Sequence, residues 1–346
     1  MDQVKIFSRV QTPVLAGVAI IFTALLILAY FHIIKPTKPN VARDTPSQYQ
    51  KIEEDWKRRF EEQDPERAYA EFLRAGNALS YYKAHSLSHI IGEIVFKRLG
   101  IRGIALCTPD FGYGCYHGFA GSALQDRGLA LVADLNDACE SVKNPRVAFG
   151  CIHGIGHGIL AYVGNEELPR ALEACVPLND GVSDVGGCLG GIFMEYNYNT
   201  MRSLKGIDLR PYDIPHAYEP CATQIPERFR AACYYEQPSW WRATFGGNNA
   251  DTLEQFKKVG RLCADIKGTS LRDICFRGAG NVIGPRSEYR PTVMRELCSA
   301  MPSDGSQDSC LHEALNHLLQ SDKGKTELRA MCESKEISYE DLCRQN

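Results

Sequence analysis

Fourteen cysteines, all of them after residue 106, constrain this chain more than any other feature. They fall into consecutive pairs: Cys107/Cys115, Cys139/Cys151, Cys175/Cys188, Cys221/Cys233, Cys263/Cys275, Cys298/Cys310 and Cys332/Cys343. The separations within pairs are 8, 12, 13, 12, 12, 12 and 11. Successive pairs recur roughly every 32–46 residues, a period that marks two-helix repeats. The local pattern agrees. An apolar-periodic segment ends at the first cysteine, as in Ala171-Leu172-Glu173-Ala174-Cys175, and a polar turn with Gly or Pro follows. The second cysteine then opens another apolar segment, as in Gly187-Cys188-Leu189-Gly190-Gly191-Ile192-Phe193-Met194. A bridge within each pair would clip the end of one helix to the start of its partner. Closing a loop of about 13 residues contributes roughly 3 kcal/mol in the chain-entropy model, less any native strain.

The expected fold is therefore all-α: about eight two-helix (α/α) units forming a curved solenoid or toroid over residues 65–346. Asp64-Pro65 is a helix start, with the carboxylate as N-cap and Pro in the first turn. Residues 66–74 and 82–97 read as the two helices of a first repeat without a staple. Before it, the charged segment 53–62, with Trp56 and Phe60 four apart, reads as a juxtamembrane helix, preferably a solvated spacer, within a linker spanning 35–64.

Residues 14–34 form an apolar run without a charge. Its length, about 20 residues at 1.5 Å each, spans a hydrocarbon core of about 30 Å, and it exceeds the apolar core of a cleaved signal peptide. It is expected to be a single transmembrane anchor, with residues 1–13 as a short cytoplasmic tail. Flanking charge (Lys5 and Arg9 before, Lys35, Lys38 and Arg43 after) weakly favours a cytoplasmic main body. Regular cysteine pairing belongs to an oxidising compartment, however, and it is the stronger signal. The main domain is accordingly expected to be extracytoplasmic: periplasmic, extracellular or lumenal. The alternative is a reversed anchor with reduced cysteines. A net charge of −3 leaves no electrostatic footprint for nucleic acid.

The stretch Cys151-Ile152-His153-Gly154-Ile155-Gly156-His157-Gly158 shows the repeat's chemistry most plainly. Residues at i and i+4 share a helix face. Counted from the second cysteine, position +2 holds His117 and His153 and position +6 holds His157; His85 and His89 occupy the same register in the unstapled first repeat. Five of the nine histidines thus fall in register across three repeats. Neutral imidazole is the commonest transition-metal ligand. His85, His89, His117, His153 and His157 are therefore the candidate metal ligands, for zinc, iron or copper. Two sets are realistic, His85/His89 with His117 or His117 with His153/His157, because neighbouring helices lie 8–10 Å apart. Glu93 and Glu195 are candidate catalytic carboxylates. The zinc-protease pattern is absent, since Ser86 and Gly154 stand where it needs Glu. The competing reading has these histidines buried and bonded to backbone carbonyls of the next repeat. Gly150, Gly154, Gly156 and Gly158 imply either close backbone approach or a loose loop before the helix.

The helix–Cys–turn–Cys–helix unit resembles the disulfide-stapled Sel1-like α/α repeat proteins, which implies a secreted solenoid; only Cys107/Cys115 has that family's usual spacing. His117-Gly118-Phe119-Ala120-Gly121 is similar to the inner-helix starts of lanthionine-synthetase-like (α/α) toroids, which hold zinc through cysteine and histidine. Their tryptophan–cysteine motif is missing here, so no catalytic residue is carried over.

Two functions follow. One is a metal-binding extracytoplasmic protein, a metal-dependent hydrolase or oxidoreductase. The other is a non-enzymatic solenoid that binds a protein, peptide or glycan. The second would use aromatic insertions after Glu195 and Gln237 that carry Tyr196, Tyr198, Tyr212, Tyr218, Trp240 and Trp241.

Overall fold

The computed structural model describes residues 46–142, 144–178, 185–201, 208–246, 253–288, 290–320, 322–334 and 339–344. In chain order the helices are α1 (Pro46–Glu62), α2 (Pro65–Gly76), α3 (Tyr81–Leu99), α4 (Gly114–Arg127), α5 (Val132–Glu140), α6 (Pro145–Val163), α7 (Leu168–Cys175) and α8 (Gly187–Tyr198). They continue as α9 (Arg230–Gly246), α10 (Leu253–Ala264), α11 (Thr269–Arg286), α12 (Pro291–Cys298), α13 (Asp304–Asn316), α14 (Asp322–Glu333) and α15 (Glu340–Arg344). No strand occurs among the described residues.

All seven expected bridges form, each within its own pair. Cys107–Cys115, Cys139–Cys151 and Cys175–Cys188 have Cα–Cα distances of 5.5, 5.6 and 5.8 Å. Cys221–Cys233 and Cys263–Cys275 follow at 5.4 and 5.5 Å, and Cys298–Cys310 and Cys332–Cys343 at 5.6 and 5.8 Å. The second cysteines Cys115, Cys151, Cys188, Cys233, Cys275 and Cys310 lie on long helices, as the spacing predicts, whereas Cys343 lies on the short terminal helix α15.

The helix that ends at a first cysteine is amphipathic: on α7, Leu168, Ala171, Leu172 and Cys175 are buried while Arg170 and Glu173 face water. The helices that carry the second cysteines of the first four pairs are buried almost all round from that cysteine on, as α4 is from Gly114 to Gly121. This is the difference expected between an outer and an inner layer. The inner helices α3, α4, α6, α8, α9, α11 and α13 stack in that order, each against the next. Asp64 caps α2 as expected, accepting from the N–H groups of Glu66 and Arg67 at 3.0 and 3.3 Å.

Glycine sets the spacing of that stack. A Cβ on residue 118 would stand 1.9 Å from the carbonyl oxygen of His89. On residue 156 it would stand 2.0 Å from that of Cys188. Neither position tolerates a side chain, so close approach, not a loose loop, explains the glycines. The helix itself starts at Pro145, well before the glycine run.

Two expectations about the flanks change. The segment around Trp56 is no solvated spacer: Trp56 is 7% and Phe60 0% exposed, and Trp56 meets Phe72 edge-on at 5.8 Å. Nor are Trp240 and Trp241 in an insertion. Helix α9 runs on through Pro238, and both indoles are fully buried, donating to the carbonyls of Arg210 and Ala217 at 2.8 Å. A helix-interior proline costs about 3 kcal/mol, and burial of two indoles, each worth about 150–250 Å² of surface, outweighs it. Core residues of this kind cannot form an exposed aromatic binding surface. The apolar run 14–34 lies outside the described residues; among those described, no single helix is long and apolar enough to cross a membrane.

Substituting Gly278, whose Cβ would stand 2.1 Å from the carbonyl oxygen of Tyr235, tests the spacing away from the histidines. Gly278→Ala should lower the unfolding free energy by about 2 kcal/mol or more, as overpacking does. Gly305→Ala on α13 meets nothing within 4 Å and should be neutral or raise stability by up to about 1 kcal/mol. Denaturant melts of the two variants compare these directly.

Candidate metal centre

The stacking brings the five histidines together. His85 and His89 lie on α3, His117 on α4, and His153 and His157 on α6, three consecutive inner helices. Two triads result, His85/His89/His117 and His117/His153/His157; within each, one ring nitrogen per residue lies within 4.8 Å of the others. His117 belongs to both. Its neighbours' ring centroids stand at 5.4 and 5.3 Å on the α3 side and 5.5 and 4.4 Å on the α6 side. His117 and His157 are buried, while His85, His89 and His153 keep part of their surface open to solvent. Neither triad contains a cysteine. Cys115 and Cys151, two residues before His117 and His153, are committed to Cys107 and Cys139. Cys233, Cys275, Cys310 and Cys343 are likewise structural clips of the later repeats and not ligands.

The closest approaches are Nε2 of His85 to Nε2 of His89 at 3.1 Å, Nε2 of His89 to Nδ1 of His117 at 3.3 Å, and Nε2 of His153 to Nε2 of His157 at 3.2 Å. For a metal–nitrogen bond of 2.0–2.1 Å, a tetrahedron has ligand atoms about 3.3–3.4 Å apart. The spacing fits.

The outward nitrogens determine the tautomers. Nδ1 of His85 lies 2.7 Å from the carbonyl oxygen of Phe111, and Nδ1 of His153 lies 3.1 Å from that of Gly187. Carbonyls only accept, so both Nδ1 atoms carry the proton. Nδ1 of His157 lies 3.1 Å from Oε2 of Glu195. That carboxylate already accepts from the Thr200 N–H and hydroxyl and from the Met201 N–H, which leaves it an acceptor toward the ring. Each Nε2 is then a bare lone pair in the neutral ring. Two bare nitrogens facing each other at 3.2 Å, as in His153 and His157, repel unless an electrophile lies between them. A proton on one ring would satisfy that pair alone. A metal ion could also engage His117, whose Nε2 is buried without a hydrogen-bond partner. A carbonyl or carboxylate on the second ring nitrogen is the usual support of a metal-ligating histidine.

The sequence builds these supports locally. Phe111 and Tyr113 adopt left-handed conformations (φ 54° and 63°), rare for bulky residues, and so does Gly187 (φ 50°). In each loop the unusual turn aims a carbonyl at a histidine of the preceding inner helix. Strain of this kind gathers at functional sites.

Burial keeps His85, His89, His117 and His153 neutral. It pushes His85 down and His89 and His117 well below the ordinary imidazole value, and it lowers His153 to about 3; neighbouring His157 adds to each effect.

The two sequence-derived carboxylates separate. Glu195 is fully buried and orients His157. Glu93 belongs to neither triad; partly exposed, it pairs with Lys97 one turn along α3. Glu236 on α9 is the residue the sequence did not reveal. It is 3% exposed, and burial raises its pKa to about 8. It faces His153 across Gly190, where an added Cβ would stand 3.2 Å from its Oε1 and 3.4 Å from Nδ1 of His153. The later repeats use the same register differently: Tyr235 and Arg277 both bond Glu313, at 2.9 and 3.0 Å. His312 pairs with Asp341 and His317 with Asn281, apart from the triads.

No family model, curated protein or solved structure matches the chain. The likenesses to Sel1-like repeats and lanthionine-synthetase-like toroids therefore rest on motif alone, and what stands is an all-helical, disulfide-stapled repeat.

The depressed imidazole values make the metal-free protein sensitive to acid. Unfolded histidines take up protons near pH 6.5, whereas His153 in the native state does so only near 3. Stability is therefore full above about pH 7 and falls as pH drops from 6.5 toward 3. Between pH 6.5 and 5, above the carboxylate range, the slope should be shallower in His153→Asn by up to about 1.4 kcal/mol per pH unit. Urea midpoints measured against pH would show it; an unchanged slope would mean that His153 titrates normally.

Proposed function

We propose that this protein is a membrane-anchored, extracytoplasmic helical-repeat protein that holds a transition metal, zinc, iron or copper, on the histidine triads, and that the centre serves hydrolytic or redox chemistry. The observation that carries the reading is the set of inward nitrogens. Phe111, Gly187 and Glu195 hold the Nδ1 protons of His85, His153 and His157, so Nε2 of His85 is turned toward His89 and those of His153 and His157 toward each other, and Nε2 of His117 has no partner.

Seven disulfides point to an oxidising compartment. They also leave no free cysteine, so imidazole is the donor that the described residues offer. The anchor and its orientation are supported by the apolar run 14–34 together with this cysteine usage.

Held by three imidazoles, such a metal would supply Lewis acidity or a redox couple. The chain's own residues have separable tasks there. His85, His89 and His153 bound the solvent-accessible rim, and His117 and His157 form the floor. Glu195 fixes the orientation of His157. Glu236, with its carboxyl held near neutrality by burial, can hold or release a proton beside His153 at physiological pH.

Metal analysis of the full chain, purified without chelator, should find stoichiometric zinc, iron or copper. A variant with His85, His89, His153 and His157 all changed to Ala should carry none, with its seven disulfides and helical content intact. Wild-type protein that is metal-free as purified and takes up none on dialysis against zinc or copper would remove the proposal. Glu195→Gln should weaken zinc binding about 10- to 100-fold, the usual effect of losing a ligand's outer partner.

A further inference from the structure

We infer that the two triads are halves of one dinuclear centre, in which His117 bridges two metal ions as an imidazolate. This rests on the metal-binding reading above and goes beyond it in stoichiometry and in the electronic coupling of the ions.

Among the described residues, His117 alone belongs to both ligand sets. The two nitrogens of an imidazole point away from each other, so one ring cannot give both lone pairs to one ion. Nδ1 faces the α3 set, and the ring as a whole lies between that set and the His153/His157 pair. Nδ1 of His117 lies 3.3 Å from Nε2 of His89 and so completes the α3 set. The remaining nitrogen, Nε2, is buried without a hydrogen-bond partner in a ring that packs at 4.4 Å against His157 and 5.5 Å against His153. A neutral histidine with one coordinating nitrogen needs an acceptor for the N–H on the other. His117 has none, although His85, His153 and His157 each have one. A ring that serves two ions has no such N–H.

The backbone explains why the bridge falls on α4. It is the middle of the three histidine-bearing helices and approaches both neighbours through glycine. Gly118 lies under the carbonyl of His89, and Gly154 of α6 lies under Tyr116, where an added Cβ would stand 2.9 Å from the carbonyl oxygen. The ring that follows Tyr116 is thereby set between the His-x-x-x-His pairs of α3 and α6. Metal–nitrogen bonds of 2.0–2.1 Å on either side of one imidazole place the ions about 6 Å apart. Their mutual repulsion is offset by the bridging anion and by the fully buried carboxylate of Glu195. The balance is simple: loading the second ion replaces the one N–H proton of His117, which leaves to solvent, and no electron is transferred.

The test uses the full chain, stripped of metal with chelator and no reductant, then titrated with Cu(II). Wild type should saturate at two copper ions per chain, and the pair should be magnetically coupled through the imidazolate. Its electron paramagnetic resonance intensity at low temperature should then fall well below that of two isolated Cu(II) ions. His153→Ala/His157→Ala and His85→Ala/His89→Ala should each bind one copper and regain the full signal of a single isolated ion. Saturation at one copper in wild type would overturn the bridge while leaving the metal-binding reading intact, and so would two coppers with unattenuated signal. No copper bound at all would overturn both. Because the wild-type titration decides the outcome, a variant that fails to fold does not rescue the inference.

Discussion

Where α6 crosses α8, the carbonyl oxygen of Cys188 occupies space that a side chain on residue 156 would need, and where α3 crosses α4 the carbonyl of His89 does the same at residue 118. Side chains reach only a few ångströms from a helix, and ordinary helix pairs sit about 8–10 Å apart. Closer spacing brings imidazoles from three successive helices within reach of one another. Glycine at the crossing points lets the backbones close in, and the histidines placed beside those glycines then meet. The cost is real, because each interior glycine weakens its helix by roughly 1 kcal/mol relative to alanine.

The disulfides offset that cost and decide the chemistry. Most of them tie an outer element to a buried inner helix, and at α4 and α8 that helix begins with glycine-rich sequence, as in Gly187-Cys188-Leu189-Gly190-Gly191. Cross-linking so short a loop restricts the unfolded chain where helix propensity is poorest. It also commits the sulfur: with no free cysteine, a soft thiolate site is absent from the described residues, and imidazole supported by carbonyl and carboxylate is what remains.

Much of this was legible in the sequence because it is periodic. The cysteine spacing predicted the hairpins and every bridge, from Cys107–Cys115 to Cys332–Cys343, and the His-x-x-x-His register predicted both ligand sets, with His117 between them. What could not be read depends on how helices cross. Glu236 sits one residue past the repeat's +2 position, and only its burial opposite Gly190 distinguishes it from any other glutamate. Glu93, in register with His85 and His89, has the better sequence position of the two carboxylates, yet Lys97 holds it at the surface. Trp240 and Trp241 follow Pro238, which reads as a helix break. The helix continues because the carbonyls of Arg210 and Ala217, distant in sequence, accept from the two indoles. The start of α6 is masked in a different way: Asn144-Pro145 repeats the start signal of Asp64-Pro65, but the glycines after it lower the helix propensity of the segment they share.

The central claim is that nitrogen from three packed helices, and not sulfur or surface carboxylate, forms the coordination shell. X-ray absorption at the zinc edge of the zinc-loaded, unreduced protein tests that most directly. The account predicts a first shell of nitrogen or oxygen at about 2.0–2.1 Å with the outer-shell scattering of about three imidazoles per ion. A sulfur shell near about 2.3 Å, or an oxygen shell without imidazole scattering, would contradict it.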